Sequence, residues 1–158
     1  MGADFFLDGA SERAYLLGFS VEPGDGGDSR VVISDYLSPE RVVVLSGTTK
    51  AQAIDELVGL MVQADIGVGA EELKRAVWKR EKLMSTGIGL GVAIPHVRIA
   101  SVTQITMAAM LSPDSIADYE SLDGEPVRIV FMVAAGPQSH AEYLRLVSSI
   151  SAKIKNKE

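Results

Sequence analysis

The run Ile129-Val130-Phe131-Met132-Val133-Ala134-Ala135 is apolar at every position. A strand on a sheet with one wet face alternates apolar and polar residues, whereas a strand apolar on both faces needs cover on both. The run is far short of the roughly 18 to 20 residues that span a bilayer. It therefore reads as the central strand of a sheet with helices on either side, from about Arg128 to Ala134. The rest of the chain supplies both. Val42-Val43-Val44-Leu45 and Gln104 to Leu111 have strand composition. Thr49-Lys50-Ala51-Gln52 is a capping-box pattern that opens a helix to about Ala64, with Ile54, Leu57, Val58 and Met61 on its apolar face. A second helix is predicted from about Glu71 to Met84, with Leu73, Ala76, Val77 and Met84 inward and Arg80 in the same stripe. A third opens with Ser139-His140-Ala141-Glu142, a second capping box, and aligns Tyr143, Leu144, Val147, Ile150 and Ile154. Helices alternating with strands imply an α/β fold, a single domain with a mixed β-sheet flanked by α-helices.

Length and composition set the boundaries. The chain has 158 residues and is 47% hydrophobic, enough for one ordinary domain. Pro23-Gly24-Asp25-Gly26-Gly27-Asp28-Ser29 has linker composition, so residues 1–30 are expected to be an N-terminal extension or linker and residues 31–158 the domain. There is no cysteine, which excludes a disulfide framework and a thiol nucleophile and fits a reducing compartment. The N-terminus lacks the basic start and apolar stretch of a secretory signal, so a cytoplasmic location without membrane insertion is expected. A net charge of −6 and a pI near 4.9 argue against a nucleic-acid surface and favour proteins with basic faces as partners.

Two histidines, His96 and His140, are the candidates for chemistry. For each, a satisfied or surface histidine stands beside a chemical role, which a near-neutral pKa makes available. Pro95 precedes His96 and stiffens its approach, and the glycines at 87, 89 and 91 permit close backbone approach and positive φ, as a phosphate-cradling loop requires. A plain connector explains them equally well, since neither the dinucleotide nor the P-loop spacing is present. Arg80, on an inward helix face, needs a snorkelling route to water or an anion: a carboxylate such as Glu81 or Asp123, or a phosphoryl group gripped by its planar guanidinium. His140 follows the Ser139 cap, where free N–H groups and the helix dipole favour anions. Together these are the parts phosphoryl transfer needs. A metal site is not assigned, because no third His or Cys exists and no carboxylate ligands suggest themselves.

The stretch Arg80-Glu81-Lys82-Leu83-Met84-Ser85-Thr86-Gly87-Ile88-Gly89-Leu90-Gly91-Val92-Ala93-Ile94-Pro95-His96 resembles the signature of the fructose/mannitol-type enzyme IIA family of the phosphotransferase system, which includes the nitrogen-regulatory IIA proteins. Gly136-Pro137-Gln138-Ser139-His140-Ala141-Glu142-Tyr143-Leu144 resembles its second block, and the likeness covers roughly residues 33 to 158. The resemblance implies that His96 accepts a phosphoryl group from HPr or a nitrogen-branch relative. It then donates the group to a IIB domain or holds it as a regulatory signal toward a transporter or kinase. It also implies that Arg80 holds phosphoryl oxygens, that His140 assists transfer, and that Thr86, Gly87, Gly89 and Ser139 support the phosphate site without any cofactor. The other His96 nitrogen is expected to donate to a backbone carbonyl. Leu90 and Val97 depart from the usual family residues, which bears on partner contacts. The family ordinarily continues for a further helical segment, so a C-terminally truncated domain or a piece of a longer protein is expected. The competing expectation is a non-catalytic module that keeps the fold and only binds.

Overall fold

The computed structural model describes residues 33–45 and 49–155; the N-terminal extension lies outside the described residues. After a 3-10 turn at Ile33–Asp35 the chain forms β1 (Leu37–Val44), α1 (Lys50–Val62), α2 (Ala70–Leu83), β2 (Gly87–Gly89), β3 (Val92–Ala93), β4 (His96–Arg98), β5 (Thr106–Ile116), β6 (Val127–Ala135) and α3 (His140–Lys155). The strand order is β1-β5-β6-β3-β2, with β4 also paired to β6. β5 runs antiparallel to β6, and β1 lies parallel to β5 at the edge. β3 and β4 both pair in parallel with β6, end to end: β3 beside Ile129 and Val130, β4 beside Val133 to Ala135.

The apolar run is thus an interior strand, and its successive side chains feed two cores. Val130, Met132 and Ala134 join Ile54, Leu57, Met61, Leu73 and Val77 of α1 and α2. Phe131, Val133 and Ala135 join Tyr143, Leu146 and Ile150 of α3. α1 starts as its sequence dictates: Thr49 Oγ1 accepts from Gln52 N at 3.2 Å, and Gln52 Oε1 accepts from Thr49 N at 2.9 Å. No helix among the described residues is long and apolar enough to cross a membrane.

Four expectations are corrected. β1 begins at Leu37 rather than Val42; Pro39 conceals it in the sequence, but an edge strand tolerates proline, and the register shifts between Leu37 and Val42. α2 stops at Leu83, so Met84 sits in extended backbone at 61% exposure instead of joining the core. In α3 the buried stripe is Tyr143, Leu146 and Ile150, spaced by three and four residues, while Leu144 lies about 100° off it and is half exposed. The glycine-rich segment is a hairpin, β2 and β3, and not an open loop.

Two substitutions in α1 test this account with opposite signs. Thr49→Ala, which removes the cap, is expected to cost about 1 kcal/mol. Gly59→Ala adds a methyl where nothing lies within 4 Å and is expected to stabilise by about 0.5–1 kcal/mol. Urea unfolding of both variants, with unchanged m-values, is the check.

Candidate functional site

His96 opens a strand of its own, β4, separate from β3. The step between them is fixed from both sides. Ile94 N donates to Thr86 O at 3.0 Å, and Val133 N of β6 donates to Pro95 O at 2.9 Å. Pro95 itself brings no N–H to compete for acceptors. The carbonyl left between these anchors, Ile94 O, lies 2.6 Å from His96 Nδ1. A carbonyl only accepts, so Nδ1 carries the proton and, in the neutral ring, Nε2 keeps its lone pair. This is the backbone partner the sequence could call for but not identify. Burial is the main force holding the His96 pKa below its ordinary value of 6.5, and the Arg80 charge adds to it, against the Ile94 hydrogen bond and the Glu81 charge. The imidazole is therefore unprotonated at neutral pH.

An open cleft of about 430 Å³ adjoins the ring, lined by Lys79, Arg80 and Leu83 of α2, His96 and Arg98 of β4, and Tyr143 of α3, among others. Among the described residues three cations line it and no carboxylate does. Arg80 Nη1 donates to Met84 O at 2.8 Å, which fixes the guanidinium, and no carboxylate among the described residues pairs with it. Both carboxylates proposed for it are engaged elsewhere: Glu81 pairs with Lys50 Nζ at 2.9 Å, and Asp123 accepts from Leu90 N at 2.8 Å and Glu125 N at 3.0 Å. An unmatched arginine beside an unprotonated imidazole favours an anion between them.

His140 enters this arrangement at one remove. It is exposed at the start of α3, and its Nδ1 accepts from Arg98 Nη1 at 2.7 Å, because arginine can only donate. The neutral His140 proton therefore sits on Nε2. The Tyr143 ring lies 5.6 Å from that of His96 at an interplanar angle of 50°. Burial pushes the Tyr143 phenol up to about 12, against the pull of Arg80 and Arg98, so it stays neutral.

The four supporting residues named from the sequence do not line the cleft. Thr86 is buried, with its hydroxyl bonded to Glu81 and 2.8 Å from the Tyr119 hydroxyl. Gly87 is required by packing, since a Cβ there would lie 2.1 Å from Glu120 O. Gly89, at φ +99°, turns the hairpin over the Asp123 carboxylate, which caps Leu90 N; that cradle holds a carboxylate already. Ser139 O accepts from Tyr143 N at 2.8 Å, and Glu142, its expected capping partner, accepts from the Tyr36 hydroxyl. Arg98, Lys79 and Tyr143 were not singled out from the sequence. Arg98 was within reach of that reasoning, because it stands two residues past His96 and so shares its face of a strand.

The site defines a class: a small mixed-sheet domain that presents a neutral imidazole beside arginines. The family model described as "Phosphoenolpyruvate-dependent sugar phosphotransferase system, EIIA 2" matches residues 35–158, and the chain belongs to that family. Among curated relatives, the fructose-specific EIIABC component of Bacillus subtilis is 39% identical over 109 residues, covering 69% of this chain but only 17% of that longer protein. The nitrogen regulatory protein of Pseudomonas aeruginosa is 31% identical over 123 residues, 77% of this chain and 79% of the relative. The crystal structure of nitrogen regulatory protein IIA-Ntr from Neisseria meningitidis superposes with a TM-score of 0.74 at 28% identity, covering 80% and 86% of the two chains. The fold also matches Escherichia coli IIAMtl, solved in complex with phosphorylated IIBMtl, at a TM-score of 0.60 and 22% identity, over 74% of this chain and 80% of that one.

The electrostatics give a titration test. By NMR, His96 is expected to titrate below 6.5, and Arg80→Gln, which removes a depressing charge, is expected to move it upward. Since the unfolded state binds the proton more readily, the His96 contribution to stability is fully present above about pH 6.5 and is lost as pH falls toward the folded-state pKa.

Proposed function

We propose that this domain is a phosphohistidine carrier in which His96 Nε2 accepts a phosphoryl group from an HPr-like donor and passes it to a IIB domain or holds it as a regulatory signal. The observation that carries this reading is the Nδ1 hydrogen bond to Ile94 O, which leaves the Nε2 lone pair free beside a cleft that, among the described residues, is lined by three cations and no carboxylate. The Nε2 lone pair attacks phosphorus, the donor's phosphorus–nitrogen bond breaks with its electron pair returning to the donor, and no proton moves at His96. Arg80 and Arg98 face the three phosphoryl oxygens, where charge must be held during transfer. His140 acts through Arg98, which it keeps directed at the cleft. Leu83, which lines the cleft, and Met84 next to it in the chain, 80% and 61% exposed, give a partner protein an apolar rim to dock on. On this reading residues 31–158 form the carrier domain and residues 1–30 an extension to it.

Incubation with phosphoenolpyruvate, enzyme I and HPr, read by intact mass under alkaline conditions, is expected to add one phosphoryl group to the wild type and none to His96→Ala. Arg80→Gln is expected to slow transfer by about 10²-fold. A folded wild type that takes up no phosphoryl group from sugar-branch or nitrogen-branch donors would replace this reading with that of a module that binds without turnover.

A further inference from the structure

Behind the cleft lies a buried polar cluster that the transfer step does not touch. The Glu81 carboxylate is 1% exposed and receives four donors. Lys50 Nζ reaches Oε2 at 2.9 Å and Thr86 N reaches the same oxygen at 3.3 Å. The Thr86 hydroxyl donates to Oε1, and the Tyr119 hydroxyl does so at 3.1 Å. The Lys50 ammonium also sits 4.4 Å from the centre of the Tyr119 ring. The cluster joins the first turn of α1, the last turn of α2, the base of the β2–β3 hairpin and the segment that carries Tyr119.

A buried ion pair is weak as a source of net stability, since apolar side chains of the same volume often do as well. A cluster this fully bonded is instead good at fixing positions: each partner is held by several directional bonds, and removing one leaves the others desolvated and unmatched. What it fixes is the backbone of Thr86, held at its N–H and hydroxyl by Glu81. Thr86 O in turn accepts from Ile94 N at 3.0 Å. Ile94 O is the acceptor for His96 Nδ1.

We propose that the Lys50–Glu81–Thr86–Tyr119 cluster is the positioning device of the site: through Thr86 and Ile94 it holds His96 in the tautomer that leaves Nε2 nucleophilic. Glu81 and Thr86 are positioning residues and do not contact phosphate. The inference rests on the function proposed above for its kinetic consequence only. The tautomer exists in the protein without any donor.

The test uses the full chain and two readouts. Thr86→Val keeps the shape of the side chain and removes its hydroxyl donor; Thr86→Ser restores the hydroxyl. In the wild type, the ring nitrogen shifts of His96 above its titration range are expected to report a single Nδ1–H form. Thr86→Val is expected to show a mixture with the Nε2–H form. Phosphotransfer turnover should fall with the competent fraction, by about tenfold, while KM for phospho-HPr stays constant. Thr86→Ser should recover both. Tyr119→Phe keeps the ion pair and removes one donor to Glu81, so it provides a milder change in the same direction should the valine variant not fold. A role confined to stability would lower the melting temperature of these variants and leave the tautomer and turnover untouched; that result in folded Thr86→Val or Tyr119→Phe would overturn the proposal. A wild type that is never phosphorylated would defeat the functional reading alone, because the nitrogen shifts would still decide this one.

Discussion

The three residues Ile94, Pro95 and His96 must do three things at once: leave the hairpin, join β6 again, and present an imidazole with the right nitrogen bare. Two hydrogen bonds meet the first two demands, Ile94 N to Thr86 O and Val133 N to Pro95 O. The third follows from them, because Ile94 O is then aimed at Nδ1. Proline suits the middle position since it offers no N–H of its own and restricts the residue before it to extended backbone. The sheet order serves the same step. β6 carries β3 and β4 end to end on one edge, so a break between two short strands becomes a rigid feature instead of a frayed end.

Charge in this protein is organised locally and not globally. The chain as a whole is acidic, at −6, yet the cleft beside His96 gathers Lys79, Arg80 and Arg98 without a lining carboxylate among the described residues. The two acids first considered as partners for Arg80 are withdrawn from the site by other work: Glu81 is buried against Lys50, and Asp123 caps the Gly89-Leu90-Gly91 turn. Had either paired with Arg80, the guanidinium would be neutralised and of little use to an anion. On the proposed function, the separation of acids from arginines is what would let a doubly charged group rest beside a half-buried histidine.

Much of this was legible in the sequence, and the parts that were not have physical reasons. Apolar continuity from Ile129 to Ala135 marked the interior strand, and Thr49 with Gln52 marked the start of α1, because both signals act within a few residues of chain. Arg80 announced itself as a cation on an inward face. The partner of His96 Nδ1 could be anticipated as a carbonyl but not located, since it depends on how Thr86 and Val133 hold the neighbouring peptides. Glu81 looked like one more acid on a charged helix, and its burial depends on Lys50 and Tyr119, 31 and 38 residues away in the chain. The glycines misled in the opposite direction. A loop free to fold around phosphate and a hairpin pressed against Glu120 and capped by Asp123 call for the same residue type.

The claim at the centre of this account is that the hydrogen bond to Ile94 O decides which His96 nitrogen reacts. The most direct measurement is phosphorus–nitrogen correlation NMR on the phosphorylated, nitrogen-15-labelled protein. The account requires a phosphorus coupling to Nε2 of His96, with Nδ1 still protonated and its proton shifted downfield by the carbonyl. Phosphorus on Nδ1, or on any residue other than His96, would contradict it.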